Sequence, residues 1–213
     1  MIAIVRVKTG RGSDVLWNYI LENQEELEKE FEGKAKLVYI TKRAKHEDTS
    51  LFIKAEDPDV LGDFVAKRIA KIKGVDAIWM FSPTNMKFFY IKESLLREQT
   101  RFTVTIKAYP REFENIYNTI SNFPETSDVI PVYLAYTFHL FTDSILFSFV
   151  AEDVETAQKF VASSIGVLPG VLGTSISKIK RQQCLSSKEE WKAHVRAHLR
   201  GKNPDDPIRC PSY

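Results

Sequence analysis

The chain has 213 residues, of which 44% are hydrophobic and 27% are charged, and its formal net charge is +2. This composition excludes disordered and collagen-like chains and allows one large domain or two small ones. Apolar runs such as residues 145–151 are far shorter than the roughly 18–20 residues of a membrane helix, and the first residues show no secretion signal. We therefore expect a cytoplasmic protein with no membrane partner.

Hydrophobic periodicity predicts two successive sets of elements, each in the order βαββαβ. The first set has strands at residues 2–8, 35–41, 50–55 and 76–81, with helices at 13–31 and 58–72. The second has strands at residues 102–108, 129–138, 144–150 and 172–179, with helices at 110–122 and 154–166. A further short strand is expected at residues 88–91, between the two sets.

An internal repeat relates the two sets. Nine residues recur at one offset of 96 positions, including Ala-Glu-Asp at 55–57 and 151–153 and Gly-Val at 74–75 and 170–171. We therefore predict a ferredoxin-like repeat at 1–84, a linker at 85–100, a second repeat at 101–181 and a basic C-terminal tail at 182–213. The predicted class is α+β.

Strand alternation assigns residues to the sheet face that the helices leave uncovered. In the first repeat this face includes Phe52 and Phe81, which are too apolar to remain in water, so we expect something to cover it. Its candidate ligand-binding residues in the two repeats are Arg6, Lys8, Trp79, Thr103, Thr105, Lys107, Ser175 and Ser177. Facing each other, they could hold a small anion or an aromatic acid, or they could simply be complementary packing residues.

Several short motifs carry a family resemblance. They are the acid that opens the third strand (Asp48, Asp143), the repeated Ala-Glu-Asp, the Phe-Val pair in the following helix, and the Gly-Val before the last strand. Together they resemble the effector-binding domain of the Lrp/AsnC regulators over nearly residues 1–180. The resemblance implies ferredoxin-like units that pair sheet to sheet as a dimeric αβ-barrel, bind amino acids or small organic acids at interfaces, and form homo-oligomers.

The resemblance predicts a non-enzymatic regulatory protein with a small-molecule effector. The family's usual N-terminal helix-turn-helix has no counterpart here, because the first strand starts at Ile2. A DNA-binding partner protein would then be needed for transcription regulation. The same architecture also hosts enzymes, including cofactor-independent oxygenases, so a dimeric αβ-barrel enzyme stays open as an alternative.

Catalytic motifs are scarce. No phosphate-binding loop, nucleophile elbow or dinucleotide fingerprint occurs, so we predict no catalytic residues and no cofactor. His46 lies near Asp48, and His139 lies near Asp143, in corresponding turns. The second pair is a further candidate for ligand binding, because a histidine beside an acid can move a proton.

The tail predicts a basic helix. Ser187 and Glu190 have the spacing of a capping box. One helical row of cations, Lys188, Lys192, Arg196 and Arg200, suggests an alternative function in nucleic-acid binding, which the sheet face could also serve. Cys184, His194, His198 and Cys210 are residue types that bind structural zinc, but their spacing is unfavourable. A disulfide between Cys184 and Cys210 is a second alternative, and two free thiols are the preferred interpretation.

Overall fold

A computed structural model describes residues 1–10, 13–44, 48–89, 91, 99–124, 128–139, 142–187, 189–190 and 193. Within these residues the chain forms two compact units. Unit 1 comprises Met1–Ser82 and residues 180–190, and unit 2 comprises Pro83–Ile179. No helix among the described residues is long and apolar enough to cross a membrane.

Unit 1 follows the predicted order. Its elements are β1 (Ile2–Thr9), α1 (Ser13–Glu28), β2 (Ala35–Arg43), β3 (Asp48–Ala55), α2 (Pro58–Phe64) and β4 (Val75–Phe81). Helix α1 kinks at Asn23, whose φ of −121° is not helical, and a 3₁₀ turn at Lys29–Phe31 completes the segment predicted as one helix. Helix α2 continues as a π-helical turn, Val65–Ile69.

Unit 2 repeats this order after an additional strand. Its elements are β5 (Pro83–Phe88), β6 (Thr100–Ala108), α3 (Phe113–Ser121), β7 (Val129–His139), β8 (Thr142–Ala151), α4 (Val154–Phe160) and β9 (Val171–Cys184). Strand β5 begins earlier than the strand predicted at 88–91, and it pairs with β7. Strand β9 runs past its predicted end at 179, and its last residues belong to unit 1.

The strand order is β4-β1-β3-β2 in unit 1 and β9-β6-β8-β7-β5 in unit 2. Neighbouring strands pair antiparallel in β1–β3, β1–β4, β2–β3, β5–β7, β6–β8, β6–β9 and β7–β8. The prediction of an α+β, ferredoxin-like fold is confirmed.

The repeated motifs have matching structural roles. Asp57 Oδ1 accepts a hydrogen bond of 2.8 Å from Val60 N at the start of α2, and Asp153 Oδ1 accepts one of 2.8 Å from Thr156 N at the start of α4. Gly74 and Gly170 have φ values of 93° and 86°, which glycine adopts without strain. The repeat therefore preserves helix starts and the turns that lead into β4 and β9.

Each unit packs its helices on one face of its strands. In unit 1 the core includes Val5 from β1, Leu51 from β3 and Phe64 from α2. In unit 2 it includes Val104 and Phe147 at the corresponding strand positions. The opposite side of each set of strands, which we call the helix-free face, carries the candidate functional residues.

Candidate functional site

Three rows of side chains form the helix-free face of unit 1. In the central row, Arg6 of β1 pairs with Trp79 of β4 and with Ser50 of β3, and Ser50 pairs with Thr41 of β2. Lys8, Asp48 and Arg43 lie on one side of this row. Ile4, Phe81, Phe52 and Tyr39 lie on the other. The face thus combines cations with aromatic rings.

Arg6 and Arg43 form the electrostatic centre of this face. Arg43 makes a salt bridge with Asp48, and both side chains are largely buried. Burial, with a smaller contribution from the positive charge of Arg43, lowers the pKa of Arg6 to about 10, although Asp48 opposes the shift. Arg6 nevertheless keeps its charge at neutral pH, so two partly buried cations lie near one carboxylate.

An aromatic ring contacts the guanidinium group of Arg6. The carbon at the centre of this group lies 5.3 Å from the ring centroid of Phe81, within the range of a cation–π interaction. The Nε atom of Arg6 is buried, and no hydrogen-bond acceptor among the described residues reaches it. Trp79, directly opposite Arg6 in the register, remains 42% exposed. Arg6 therefore lies between one ring that contacts it and another that faces solvent.

A buried polar pair ends the row of rings. The Tyr39 hydroxyl donates a hydrogen bond to Oε1 of Gln182, which comes from the part of β9 that belongs to unit 1. The Tyr39 ring also packs edge to face on Phe52, with centroids 5.4 Å apart. The side chain of Tyr39 is thereby held in place by contacts from two strands.

The helix-free face of unit 2 is built from hydroxyl groups. In its register, Thr105 pairs with Ser175, Thr103 pairs with Ser177, and Lys107 pairs with Gly173. Arg101 Nε donates a 2.9 Å hydrogen bond to Ser148 Oγ, which in turn donates one to the carbonyl oxygen of Phe102.

This face also carries Tyr133, which contacts the ring of its register partner Phe88 of β5 at a centroid distance of 5.0 Å. Burial is the main cause that raises the pKa of the Tyr133 hydroxyl above its usual range. Tyr133 therefore stays protonated at neutral pH. Among the described residues of this face, the arginine is Arg101, which donates a hydrogen bond to the hydroxyl group of Ser148.

The structure assigns the predicted candidates to two groups. Arg6, Lys8 and Trp79 share the helix-free face of unit 1, and Thr103, Thr105, Lys107, Ser175 and Ser177 share that of unit 2. The backbones of His139 and Asp143 belong to the β7–β8 hairpin, where Phe138 pairs with Asp143. The side chains of His139 and Asp143 lie outside the described part of the structure, as does His46.

Sequence reasoning missed Arg43, Tyr39 and Gln182 as members of the face. Strand β2 contains a bulge between Leu37 and Tyr39, which inverts the alternation for every later residue of the strand. Gln182 reaches the face only because β9 continues beyond residue 179. Val38 of β2 and Val132 of β7 lie at corresponding bulges. The repeated valine could have indicated these bulges, but it can be interpreted only once the strand registers are known.

The beginning of the tail agrees with the sequence. Ser187 Oγ accepts a hydrogen bond from Glu190 N, and Ser187 N donates one to Glu190 Oε2, both at 3.2 Å, as a capping box requires. The proposed nucleic-acid residues Lys188, Lys192, Arg196 and Arg200 lie outside the described residues.

The structure changes the interpretation of Cys184. Cys184 is disulfide-bonded, so the preference for a free thiol at this position is wrong. His194, His198 and Cys210 lie outside the described residues. In the part of the chain that is described, no group of three His, Cys, Asp or Glu side chains could hold a metal ion.

No protein-family model and no curated protein matches the chain. Solved structures do match. A monooxygenase candidate from Lactobacillus acidophilus NCFM matches with a TM-score of 0.51 and 9% identity, over 87% of this chain and 98% of that one. An anthrone oxidase-like protein matches with a TM-score of 0.52 and 7% identity, over 88% of this chain and 94% of that one. At these identities the likeness establishes the fold.

These matches correct the functional expectation. The prediction of a non-enzymatic effector-binding regulator is wrong, because the fold over nearly the whole chain is that of proteins named as a monooxygenase candidate and as oxidase-like. The expectation that the chain is more likely not an enzyme is overturned by the same finding. The physical reason is that the βαββαβ unit serves regulators and enzymes alike, so short motifs that encode its turns cannot distinguish them.

Proposed function

We propose that this chain is an enzyme of the dimeric αβ-barrel class that oxidises an activated carbon of a small aromatic substrate with molecular oxygen. The observation that carries the proposal is the fold shared with an anthrone oxidase-like protein and a monooxygenase candidate over 87–88% of the chain. The helix-free face of unit 1 supports it, because it joins aromatic rings to a pair of buried guanidinium groups.

The chemistry suits such a face. A methylene group next to aromatic rings and a carbonyl can lose a proton to give an electron-rich enolate. That anion reacts with oxygen to give a new carbonyl group: one oxygen atom stays on the carbon, and the other leaves as water with the two hydrogens of the methylene. Arg6 and Arg43 would stabilise the negative charge on the enolate oxygen, and fixed charges in a largely buried site do this more effectively than water.

The pairing of the two units as a dimeric αβ-barrel within one chain, and the formation of a homo-oligomer, stay predictions. So does the resemblance to the Lrp/AsnC effector domain. Measurement of the molar mass in solution by light scattering tests the oligomer directly.

Oxygen uptake tests the proposed enzyme. Purified protein is added to anthrone in an oxygen electrode, with heat-denatured protein as the control for spontaneous oxidation and with catalase present to reveal peroxide. We expect protein-dependent uptake of one oxygen molecule for each anthraquinone formed, with no peroxide. Uptake should fall in Arg6→Gln and stay unchanged in Arg111→Gln, whose side chain is 80% exposed in unit 2.

A panel of anthrones and hydroxylated aromatic compounds extends the test beyond one substrate. If the native protein accelerates oxygen uptake with none of them, the proposed oxidation is refuted. If uptake occurs but Arg6→Gln and Arg111→Gln behave alike, the activity does not depend on the helix-free face of unit 1.

A further inference from the structure

The charged side chains on the helix-free face of unit 1 indicate the charge that a ligand of this face should carry. Arg6 and Arg43 lie close enough for the charge of one to lower the pKa of the other. Asp48 pairs with Arg43 through Oδ2, and its Oδ1 is buried without a donor among the described residues. Two partly buried cations that share one carboxylate favour the binding of another anion.

Arg6 has an unused hydrogen-bond donor at this point. Its Nε is buried without an acceptor among the described residues, while its guanidinium group rests on the Phe81 ring. A buried donor without an acceptor costs free energy, and an arginine presents its donors as a planar fork that matches a carboxylate. The guanidinium group of Arg6 thus rests on a ring, and its Nε donor lacks an acceptor among the described residues.

An exposed ring lies beside this donor. Trp79 pairs with Arg6 across β1 and β4, and it is 42% exposed, whereas the other rings of this face are buried or partly buried. A flat ligand on the indole ring would place a substituent near Arg6. An aromatic surface beside an arginine fork is complementary to an aromatic ring that bears a carboxylate.

We propose that the helix-free face of unit 1 binds an aromatic carboxylate, with the carboxylate on Arg6 and the ring on Trp79. The proposal rests on the proposed function, because it names the substrate class of the same site. It adds that the substrate is negatively charged before any proton is removed, whereas the oxidation alone requires only that an anion forms during the reaction.

Comparing the binding of 2-naphthoate with that of 2-naphthamide tests whether the site prefers a charged ligand, since the two probes share a ring system and differ in charge. Titration followed by calorimetry and by tryptophan fluorescence should show the native protein binding the carboxylate at least about tenfold more tightly, as expected for a charge-assisted hydrogen bond. Arg6→Met should abolish this preference. Arg6→Lys, which keeps the charge but loses the fork, should restore part of it.

Arg111→Met is the matched control, because it removes an exposed arginine of unit 2. Circular dichroism and thermal unfolding establish that each variant is folded. The melting temperature of Arg6→Met without ligand should equal or exceed that of the native protein, because the variant removes a buried charge next to Arg43. A structural role for Arg6 would instead lower the melting temperature.

Equal binding of the two probes, absence of saturable binding, or an unchanged preference in Arg6→Met would each overturn the aromatic-carboxylate proposal. The proposed oxidation fails separately. Preference for naphthoate without any oxygen uptake leaves the binding site standing and removes the oxidation, whereas uptake with neutral anthrone and no preference for naphthoate does the reverse.

Discussion

The first and third strands of the two units differ in where they place aromatic residues, although both second strands keep a tyrosine on the helix-free face, Tyr39 and Tyr133. In β1–β4 of unit 1, all of the aromatic side chains lie on the helix-free face, namely Tyr39, Phe52, Trp79 and Phe81. In unit 2, Phe102, Phe147 and Phe149 belong to the core beneath the helices, at positions that correspond to Ala3, Leu51 and Ile53. At the third strands, rings on the helix-free face of unit 1 (Phe52) give way to rings in the core of unit 2 (Phe147 and Phe149).

This exchange shows how a duplicated unit can keep its fold while its two faces change roles. The core of unit 2 is filled by stacked rings, with Phe102–Phe149 centroids 5.7 Å apart and Phe147–Phe149 centroids 5.5 Å apart. Its helix-free face then needs little apolar area and carries hydroxyl groups. Unit 1 has an aliphatic sheet in its core and keeps its rings beside Arg6, where a ligand can use them.

The largest effect should come from breaking the ring stack of unit 2. Phe147 is fully buried and contacts the rings of both Phe149 and Phe160. Phe147→Ala should lower the free energy of unfolding by about 3–5 kcal/mol, because it removes transfer energy and leaves a cavity. Chemical denaturation followed by circular dichroism measures this loss.

Leu51→Ala makes the corresponding change in unit 1, where Leu51 is equally buried, and Leu172→Ala is a control at an exposed position of unit 2. Leu51→Ala should cost about 2–5 kcal/mol, and Leu172→Ala should change stability by less than about 0.5 kcal/mol. A Phe147→Ala effect no larger than that of Leu172→Ala would show that the stacked rings do not support unit 2.

A smaller effect should follow from removing the two helix caps, which the units share. Asp57→Ala should lower the free energy of unfolding by about 1 kcal/mol, because Val60 N loses its acceptor at the start of α2. Asp57→Asn keeps an acceptor and should recover most of the loss. Urea denaturation of both variants checks this, and equal stability of Asp57→Ala and the native protein would contradict it.

The cap of unit 2 adds a dependence on pH. The hydrogen bond from Thr156 N lowers the pKa of Asp153 below 3.8. A lowered folded-state pKa means that the cap stabilises the protein above the unfolded-state pKa and loses this contribution as the pH falls through the folded-state value. Melting curves of the native protein and of Asp153→Asn should therefore converge between pH 4 and pH 2.

Much of the fold could be predicted from the sequence, because its strongest signals are local. The repeated Asp57 and Asp153 mark helix starts, and alternation within β1 and β4 places Arg6 and Trp79 on one face. The site was only half predictable. Arg43 lies on the face because of a bulge, and Gln182 lies there because distant parts of the chain pair. Neither the bulge nor this pairing can be predicted from the neighbouring residue types alone.

The smallest expected effect concerns the bulge in β2, which has a counterpart in β7. In unit 1 the backbone N–H of Leu37 donates a 2.8 Å hydrogen bond to Glu28 Oε1, just before the bulge that positions Tyr39. In unit 2 the residue before the corresponding bulge is Pro131, which has no N–H and needs no acceptor. Unit 1 thus needs a side-chain acceptor at this point, and unit 2 needs none.

Burial raises the pKa of Glu28 above 4.5, although the hydrogen bonds from Leu37 and Gln24 oppose the shift. The folded protein therefore holds the Glu28 proton more tightly than the unfolded chain, and this contribution to stability is lost as the pH rises through the folded-state pKa. Glu28→Gln keeps an oxygen acceptor for Leu37 N and has no charge to bury, so it should match the native protein at pH 4 and exceed it at pH 7 by about 0.5 kcal/mol or less. Glu28→Ala, which removes the acceptor, should be less stable than both at either pH. Urea denaturation at pH 4 and pH 7 separates the three proteins. Equal stability of Glu28→Ala and Glu28→Gln would show that the bulge of unit 1 does not need a side-chain acceptor for Leu37 N.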